Sequence, residues 1–442
     1  MNLLTESLWG DEGFSAMAVQ RPFLEMIGVV MRDTAPPFFY VLGFIWGRIF
    51  GFSEISLRAL SCLLMLGASF FAGKIIYEIG KNKVAAILGG TMAFLTPFLI
   101  GFAFEWRMYA TLAFLVMGSI YFFVARKWTG FVIFSALSLY AHHFALFTLA
   151  GQVIYFLFFI FEWKGFKIKR FLKETRPFWL VGLLYLPWVY PMYLQVTRVQ
   201  GGGFWLSMPK IKEIFNLMYR FITGEVDERH RLGVAIVVAG LLVGKKWKKV
   251  GKRWVELLII FMAPVVLSVL VSYLVTPIFY DRYLLATVIG VAVLVVLGTR
   301  KWLLLLVGAL VLFYGWTSGR RFLSPSKRPF RELAGYVKEQ LRDNDYLVNY
   351  NGKAHHLWES KYYGLDAPIY TPDGPLPLYV GTAQMTEKDT VDNLPEVEGR
   401  IGVIASEPLS EIQIRGHFEE YDMETLKSFE NDRLLVIWWR KR

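Results

Sequence analysis

Long apolar runs separated by short polar loops fill most of the chain up to residue 317. A bilayer core requires about 20 apolar residues per helix, so runs of this kind predict membrane-spanning helices. We place the spans at 55–79, 84–104, 108–125, 129–141, 144–162, 177–194, 232–244, 255–275, 283–299 and 302–317. The pattern therefore predicts a polytopic α-helical membrane protein with about ten spans.

Shorter apolar stretches precede the first span. Residues 13–31 predict one short amphipathic helix, and the apolar run at 38–50 is too short for a span, so we expect an interfacial or re-entrant helix there. We treat 1–52 as a catalytic first loop within a transmembrane domain that covers 1–317.

The sequence pattern changes near Ser318, where polar helix-like and strand-like runs begin to alternate. A helix is predicted at 331–341, and strands are predicted at 346–350, 401–405 and 434–439. Residues 318–442 are therefore expected to form a small soluble α/β domain. His355 and His356 lie on a further predicted helix, where we expect a surface pair rather than a metal site.

Composition agrees with a membrane protein, because 55% of the residues are hydrophobic and only 19% are charged, against about 25% charged in soluble domains. The net charge of +12 does not indicate a nucleic-acid partner, because the basic residues lie in short loops. These loops alternate along the chain, which is the positive-inside pattern of cytoplasmic loops. The basic loops lie at 81–83, 126–127, 164–176, 245–253 and 300–301.

The polar residues with catalytic or binding potential fall on the opposite side, which is therefore expected to be extracytoplasmic. The C-terminal domain is expected on the same side. The candidate residues there are Asp11, Glu12, Asp33, Glu105, Arg107, Tyr109, His142, His143, Arg282 and Tyr283. No charge falls at the centre of a predicted span, which argues against an ion pathway through the bilayer.

An active site on this face has no supply of nucleotide-activated substrates, so a transferase would need a donor anchored in the membrane, usually a polyprenyl phosphate. A carboxylate would accept a proton from the acceptor, and arginines would bind the phosphate through their planar forks. The chain offers Asp11 and Glu12 for the first task. Arg107 and Arg282, with Tyr283 beside it, are candidates for the second because they lie at outer ends of spans.

An ordered set of short motifs resembles the GT-C glycosyltransferases, and it is most similar to the bacterial branch related to protein O-mannosyltransferases and lipid A aminoarabinose transferase. The motifs are Leu8-Trp9-Gly10-Asp11-Glu12, Asp33-Thr34-Ala35-Pro36-Pro37-Phe38, Ser53-Glu54-Ile55-Ser56-Leu57-Arg58, Glu105-Trp106-Arg107-Met108-Tyr109, Leu139-Tyr140-Ala141-His142-His143-Phe144 and Asp281-Arg282-Tyr283. The resemblance covers residues 1–300 well and the terminal domain only loosely. No single motif is specific, but their order is.

The resemblance implies a hexosyl- or pentosyltransferase that moves a sugar from a polyprenyl-phosphate donor, with inversion. It also implies that Asp11 is the essential carboxylate of the first loop and that Glu12 is its companion. Asp33, Glu105, Tyr109, His142 and His143 are possible substrate contacts. No cofactor is required, a divalent cation is possible, and no Cys/His cluster has zinc-site spacing.

The sequence departs from the family pattern at two points. Family members often carry His or Lys directly before the Pro-Pro pair, where this chain has Ala35, so Arg107 is a candidate to replace that contact. The transmembrane helix that normally precedes the Asp-Glu loop is absent. Because the predicted topology places the first loop outside, we expect the natural gene to encode one more helix before Met1.

Several alternatives remain open at the level of sequence. A transporter or flippase of lipid-linked glycans would also need apolar grooves and arginine–phosphate contacts, although it would place polar groups at mid-membrane. Arg107 is also compatible with snorkelling to lipid headgroups, His142 and His143 with a helix cap, and Asp33 with a cap of the helix near Pro36. The acceptor could be a protein, a lipid or a glycan.

Overall fold

A computed structural model describes the chain except residues 202–204, 351–354, 373, 375, 377–380, 413–419 and 430–433, and only the backbone of His355. The described residues form two compact units. The first contains Met1–Thr34, Tyr40–Leu57 and Pro325–Arg442, and the second contains Ala35–Phe39 and Arg58–Ser324. The amino-terminal residues thus fold with the carboxy-terminal ones. The predicted boundary between residues 317 and 318 separates a membrane-embedded part from a soluble part, and it stays a prediction.

Three helices precede the first long span: α1 (Gly10–Gln20), α2 (Phe23–Arg32) and α3 (Phe38–Phe50). The prediction of one helix over 13–31 is wrong, because the chain breaks at Arg21-Pro22. Proline disfavours a helical conformation of the residue before it, and Arg21 is extended, with φ −66° and ψ 161°. The short helix expected at 38–50 is present.

Helices occupy each of the ten predicted spans. They are α4 (Glu54–Gly80), α5 (Lys83–Leu95), α6 (Pro97–Ala103), α7 (Met108–Val124), α8 (Trp128–Ala141), α9 (Ala145–Tyr155), α10 (Ile168–Glu174), α11 (Arg176–Gly201), α12 (Ile211–Thr223), α13 (Glu228–Val243), α14 (Trp247–Leu274), α15 (Leu285–Val296) and α16 (Leu304–Phe322), of which α10 and α12 lie in loops. Within the described ranges, three helices are individually long and apolar enough to cross a membrane: α4, α14 and α16 with the short turn before it.

The consecutive helices α5 and α6 pass the same test together as a broken span, bent by 67°. The bend falls at Thr96-Pro97, where Thr96 is extended, as expected of a residue before proline. Several predicted spans are shorter apolar helices, so the count of ten membrane crossings stays a prediction.

The first unit contains a mixed sheet. Its elements are α17 (Phe330–Gln340), β1 (Tyr346–Tyr350), α18 (His355–Tyr362), β2 (Ile369–Tyr370), β3 (Thr390–Val391), β4 (Arg400–Ala405), β5 (Tyr421–Phe429) and β6 (Leu434–Lys441). The strand order is β3-β2-β1-β4-β6-β5, with β5 and β6 antiparallel to their neighbours and the others parallel. The predicted helix at 331–341 and the three predicted strands are confirmed, whereas β5 was not predicted.

Apolar side chains are buried on both faces of this sheet. One face packs against α17 through Leu333 and Val337, and a second cluster around Val348 and Ile437 fills the other. The small α/β fold expected for the C-terminal residues is therefore present, with its own hydrophobic core.

Candidate active site

Asp11 and Glu12 occupy the first turn of α1, where the positive end of the helix dipole stabilises negative charge. The two carboxylates differ in environment. Asp11 is partly exposed, whereas Glu12 is completely buried and its Oε2 accepts a hydrogen bond from the backbone N–H of Trp9 at 3.4 Å. The exposed member can meet a substrate, and the buried member is held by the turn that begins the helix.

Helix α1 packs closely on α18 within the first unit. A Cβ atom at Gly13 would lie only 2.9 Å from the carbonyl oxygen of Trp358, so glycine is required for this approach. The rings of Phe14 and Trp358 pack edge to face at 5.4 Å, and Gln384 Nε2 donates to the carbonyl oxygen of Phe14 at 2.8 Å. The carboxylate pair is thus carried on a helix that the C-terminal residues position.

Hydrogen bonds fix the segment before α1 in the same way. Glu6 Oε2 accepts from the backbone N–H groups of Ser326 and Lys327 at 2.6 and 2.9 Å. The Tyr363 hydroxyl accepts from Leu8 N at 2.8 Å and donates to Glu54 Oε1 at 2.9 Å. The segment that leads into α1 is therefore attached to residues more than 300 positions later.

Four residues of this unit surround the carboxylates and were not among the predicted site residues: Lys327, Arg328, His356 and Glu359. Lys327 Nζ lies 4.6 Å from the ring centroid of Trp9, and Arg328 Nη1 lies 3.4 Å from His356 Nε2. His356 is fully buried, so the expected surface pair is wrong for this residue. His355 lies outside the residues whose side chains are described.

Glu359 is the buried acid of this group, with 2% of its surface exposed. Burial raises its pKa to about 8. The negative charges of Glu12 and Asp11 add to the rise, and the positive charges of Arg328 and Lys327 oppose it. A carboxyl with that pKa is mostly protonated at neutral pH. Lys327 and Arg328 thus oppose Asp11 and Glu12 in their effect on the pKa of this carboxyl.

Asp33 lies at the end of α2 rather than at the start of a helix. Its backbone N–H bonds to the carbonyl groups of Val29 and Val30, and its Oδ2 accepts from the Tyr40 hydroxyl at 3.4 Å. Asp33 thus ends α2, and its possible role as a cap of the helix near Pro36 stays a prediction.

In the second unit, the predicted residues of three separate loops come together. Glu105 and Arg107 lie between α6 and α7, and Tyr109 lies in the first turn of α7. The His pair lies between α8 and α9, and Arg282 and Tyr283 lie in a short turn before α15. Arg282 lies against two phenol rings, 4.7 Å from the centroid of Tyr280 and 5.5 Å from that of Tyr109.

The Arg282 guanidinium also makes hydrogen bonds, from Nη2 to the Tyr280 hydroxyl at 3.0 Å and from Nη1 to the Tyr109 hydroxyl at 3.4 Å. Burial opposes a charge at this position, but Tyr109 and Glu105 more than compensate and raise the pKa of Arg282. The guanidinium is therefore a permanently charged group held in a fixed orientation by aromatic neighbours.

The ring of His142 packs on Tyr283, with 4.7 Å between centroids. Burial, together with the charges of His143 and Arg107, lowers the pKa of His142 to about 3. His142 Nδ1 accepts from the Phe144 backbone N–H at 3.1 Å, so the neutral ring carries its proton on Nε2. This bond closes the turn before α9, as the capping alternative expects.

His143 points to a different partner. Its Nε2 lies 3.1 Å from Gln195 Oε1, and Gln195 Nε2 donates to the Ala35 carbonyl oxygen at 3.1 Å. Gln195 was not predicted; it lies on α11 and connects the His pair to the residue that precedes Pro36-Pro37. Ala35, which directly precedes Pro36-Pro37, is thus held through its backbone.

Glu105 and Arg107 flank the buried Trp106, whose ring packs against Phe39 at 4.5 Å. Arg107 N donates to the Glu105 carbonyl oxygen at 2.9 Å, and Glu105 is 8% exposed. Among the residues that the structure describes, no group of three His, Cys, Asp or Glu side chains could hold a metal ion. Whether a divalent cation takes part stays a prediction.

Comparisons with known structures place this fold. Apo ArnT from Cupriavidus metallidurans is similar with a TM-score of 0.65 at 14% identity, over 98% of this chain and 94% of that one. ArnT from the same organism bound to undecaprenyl phosphate is similar with a TM-score of 0.45 at 14% identity, over 99% of this chain and 95% of that one. The oligosaccharyltransferase of Archaeoglobus fulgidus, in complex with zinc and sulfate, gives 0.48 at 13% identity, over 91% and 64%. No family model and no curated protein sequence matches the chain.

The similarity to apo ArnT extends over nearly all of both chains, so this protein has the fold of the GT-C glycosyltransferases. The fold expected from the order of the motifs is confirmed. At 14% identity the comparison concerns the fold alone, and the activity is argued from the residues below.

Proposed function

We propose that this protein is an integral-membrane glycosyltransferase that transfers a sugar from a polyprenyl-phosphate donor to an acceptor on the extracytoplasmic face, with inversion. The observation that carries the proposal is the contrast at the start of α1, where a partly exposed Asp11 precedes a buried Glu12. A general base must reach its substrate, and its neighbour must hold it in place. The GT-C fold supports the proposal because it is a glycosyltransferase fold.

The proposed reaction uses few protein groups. Asp11 takes the proton of the acceptor nucleophile while the acceptor's electron pair forms a bond to the anomeric carbon of the sugar. The bond between that carbon and the phosphate oxygen breaks, and its electron pair leaves with the polyprenyl phosphate. Attack opposite the leaving group inverts the anomeric configuration. Glu12 orients the turn, so its role is positional rather than chemical.

The donor phosphate is assigned to the cations of the second unit. Arg282 is half-buried and held between Tyr109 and Tyr280, which pre-orders its fork for phosphate oxygens. Arg107 adds a second positive charge, and Tyr283 borders Arg282 in the chain. Glu105, Tyr109, His143 and Asp33 remain proposed substrate contacts, whereas the Nδ1 bond of His142 supports a role in the turn.

A transfer assay separates this proposal from a transporter or flippase of lipid-linked glycans. Purified protein in detergent is mixed with a radiolabelled polyprenyl-phosphate sugar and a panel of lipid, glycan and peptide acceptors. An enzyme releases free polyprenyl phosphate and labels one acceptor class, with the anomeric configuration read by NMR. A transporter leaves the donor intact. Parallel reactions with EDTA, with and without added Mg²⁺ or Mn²⁺, test the possible divalent cation.

A further inference from the structure

A groove of about 670 Å³ runs along helices α4 and α5 in the second unit, and its lining contains none of the proposed site residues. The two helices form an antiparallel hairpin joined by Lys81-Asn82. The groove is lined by Leu66, Ser69, Phe70, Gly73, Lys74, Tyr77, Lys83, Ala86, Ile87, Gly90, Thr91, Phe94 and Leu95. Its lining is apolar over most of its length and cationic at one end.

Small residues create the groove where the helices cross. A Cβ atom at Gly73 would lie 2.9 Å from the Ala86 carbonyl oxygen, and one at Gly90 would lie 3.0 Å from the carbonyl oxygen of Ser69. The two backbones therefore touch here without side chains between them. Larger side chains stand only to either side of the crossing, so a trough remains open along the surface.

The cationic end lies near the turn of the hairpin. Lys74 and Tyr77 are three residues apart and so share one face of α4, and Lys83 is the first residue of α5. The ammonium group of Lys74 lies 5.6 Å from the ring centroid of Tyr121, which directs this half-buried side chain. Lys81, at the same turn, is paired with Glu78 at 3.2 Å and does not line the groove.

From the crossing to the other end, the groove carries large apolar side chains that are exposed. Phe70 is 63% exposed, Ile87 is 69% exposed and Leu66 is 44% exposed. Leu66 lies eight residues before Lys74, a separation of about 12 Å along a helix. A ligand of this groove is therefore amphiphilic, with an anionic head and an alkyl chain at least that long.

We propose that the groove is a binding site for one anionic phospholipid of the surrounding bilayer. Lys74 and Lys83 hold the phosphate, assisted by the Tyr77 hydroxyl, and one acyl chain lies along Leu66, Phe70 and Ile87. The charges favour an anionic headgroup, because two ammonium groups at one end of an apolar trough complement a head of net negative charge, whereas a zwitterionic head brings its own cation beside them. The inference is independent of the proposed transferase activity.

The test uses the full chain in nanodiscs made with a zwitterionic lipid and increasing fractions of phosphatidylglycerol. Photoactivatable phosphatidylglycerol is cross-linked, and the modified peptides and retained lipids are identified by mass spectrometry. We expect labelling of the Leu66–Phe70 and Ile87–Phe94 peptides, and one retained anionic lipid. K74Q combined with K83Q should weaken retention by at least about tenfold, the loss expected for one charge-assisted contact.

Two matched variants complete the test. K81Q removes a lysine at the same turn that lies outside the groove, so it should leave retention unchanged, whereas Thr91→Trp should fill the groove and abolish labelling with both lysines intact. Equal labelling by phosphatidylcholine, or an equal loss in K81Q, would overturn the proposal. Displacement of phosphatidylglycerol by an equimolar polyprenyl phosphate would also overturn it, by assigning the groove to a donor lipid. Unchanged unfolding midpoints show that each variant is folded.

Discussion

Neighbouring residues with the same chemistry can be given different roles by their surroundings, and Asp11 and Glu12 are an example. Glu12 is buried and bonded to the backbone of Trp9, while Asp11 is partly exposed in the same helical turn. In the sequence, only the family resemblance separates their roles, because the two residues are both acidic and adjacent. The structure therefore supports the assignment of Asp11 as base and Glu12 as companion on physical grounds.

The first residue-scale prediction concerns the two arginines of the second unit. A charge-assisted hydrogen bond contributes ~1.5–3 kcal/mol, so Arg107→Ala and Arg282→Ala should each weaken donor affinity by roughly ten- to over a hundredfold. Lysine at either position should restore only part of the lost donor affinity, because it cannot make the bidentate contact of an arginine. Affinity is measured with a fluorescent polyprenyl-phosphate sugar. Arg300→Ala, at an exposed loop position, is the control and should bind the donor like wild type. If both alanine variants bind the donor with wild-type affinity, Arg107 and Arg282 do not bind the phosphate and only extend to lipid headgroups.

The second residue-scale prediction concerns Glu359. Its pKa in the folded protein is about 8, against an ordinary value near 4.5. As pH rises through this interval, the unfolded chain releases the proton and the folded chain keeps it, so the free energy of unfolding falls. Glu359→Gln removes this loss of stability at high pH. The melting temperature of the variant minus that of wild type should therefore be larger at pH 8 than at pH 5.

The exposed Glu332 of α17 provides the matched control, because Glu332→Gln should give the same difference in melting temperature at both pH values. A difference for Glu359→Gln that does not change between pH 5 and pH 8 would show that the carboxyl titrates normally in the folded protein.

At the scale of elements, the packing of α1 on α18 determines where the carboxylate pair lies. Gly13→Ala would place a methyl carbon 2.9 Å from the Trp358 carbonyl oxygen, a backbone atom that cannot move alone. Overpacking of this kind costs ~1–3 kcal/mol, so we expect lower stability and reduced transfer. Gly28→Ala, whose nearest atom is the flexible Arg32 Nη1 at 3.6 Å, should be neutral or stabilising. Equal effects of both substitutions would mean that α1 tolerates displacement.

Elements with a strong local signal were predictable, and those fixed by distant contacts were not. Strand β1 was predicted at its observed bounds because its apolar run is bounded by polar residues. Strand β5 was missed because it is an exposed edge strand, Tyr421–Phe429, rich in polar residues that pair only with β6. The break between α1 and α2 could have been predicted from Arg21-Pro22, had the proline been given more weight than the apolar spacing.

At the scale of the whole molecule, contacts between distant parts of the chain could not be predicted from the sequence. The clustering of Tyr109, His142, Arg282 and Tyr283 agrees with their predicted common face, since each lies at a helix end. Nothing local indicated that Glu6 binds the backbone of Ser326, or that Glu359 would interact with Asp11 and Glu12. Such contacts join residues separated by more than 300 positions, and periodicity carries no information about them.

The prediction at the scale of the whole molecule concerns the membrane topology, with the C-terminal domain outside and the basic loops inside the cell. With Cys62, the single cysteine, replaced by serine, new cysteines are introduced at two exposed lysines. They are Lys427 of β5 and Lys248, which belongs to the predicted basic segment 245–253 and lies in the first turn of α14. A membrane-impermeant maleimide applied to intact cells should label Lys427→Cys, and should label Lys248→Cys only after permeabilisation. The reverse pattern would contradict both the positive-inside assignment and an extracytoplasmic C-terminal domain.

The central claim is that Asp11 is the base of a lipid-linked sugar transfer. Single-turnover transfer by Asp11→Asn tests it most directly, because asparagine keeps the shape of the side chain and removes its basicity. A general base contributes ~10²–10⁴-fold, so we predict a loss of at least about a hundredfold with donor binding intact. Glu12→Gln should lose less, and the exposed Glu25→Gln should match wild type. Full activity in a monodisperse, donor-binding Asp11→Asn variant would contradict the account.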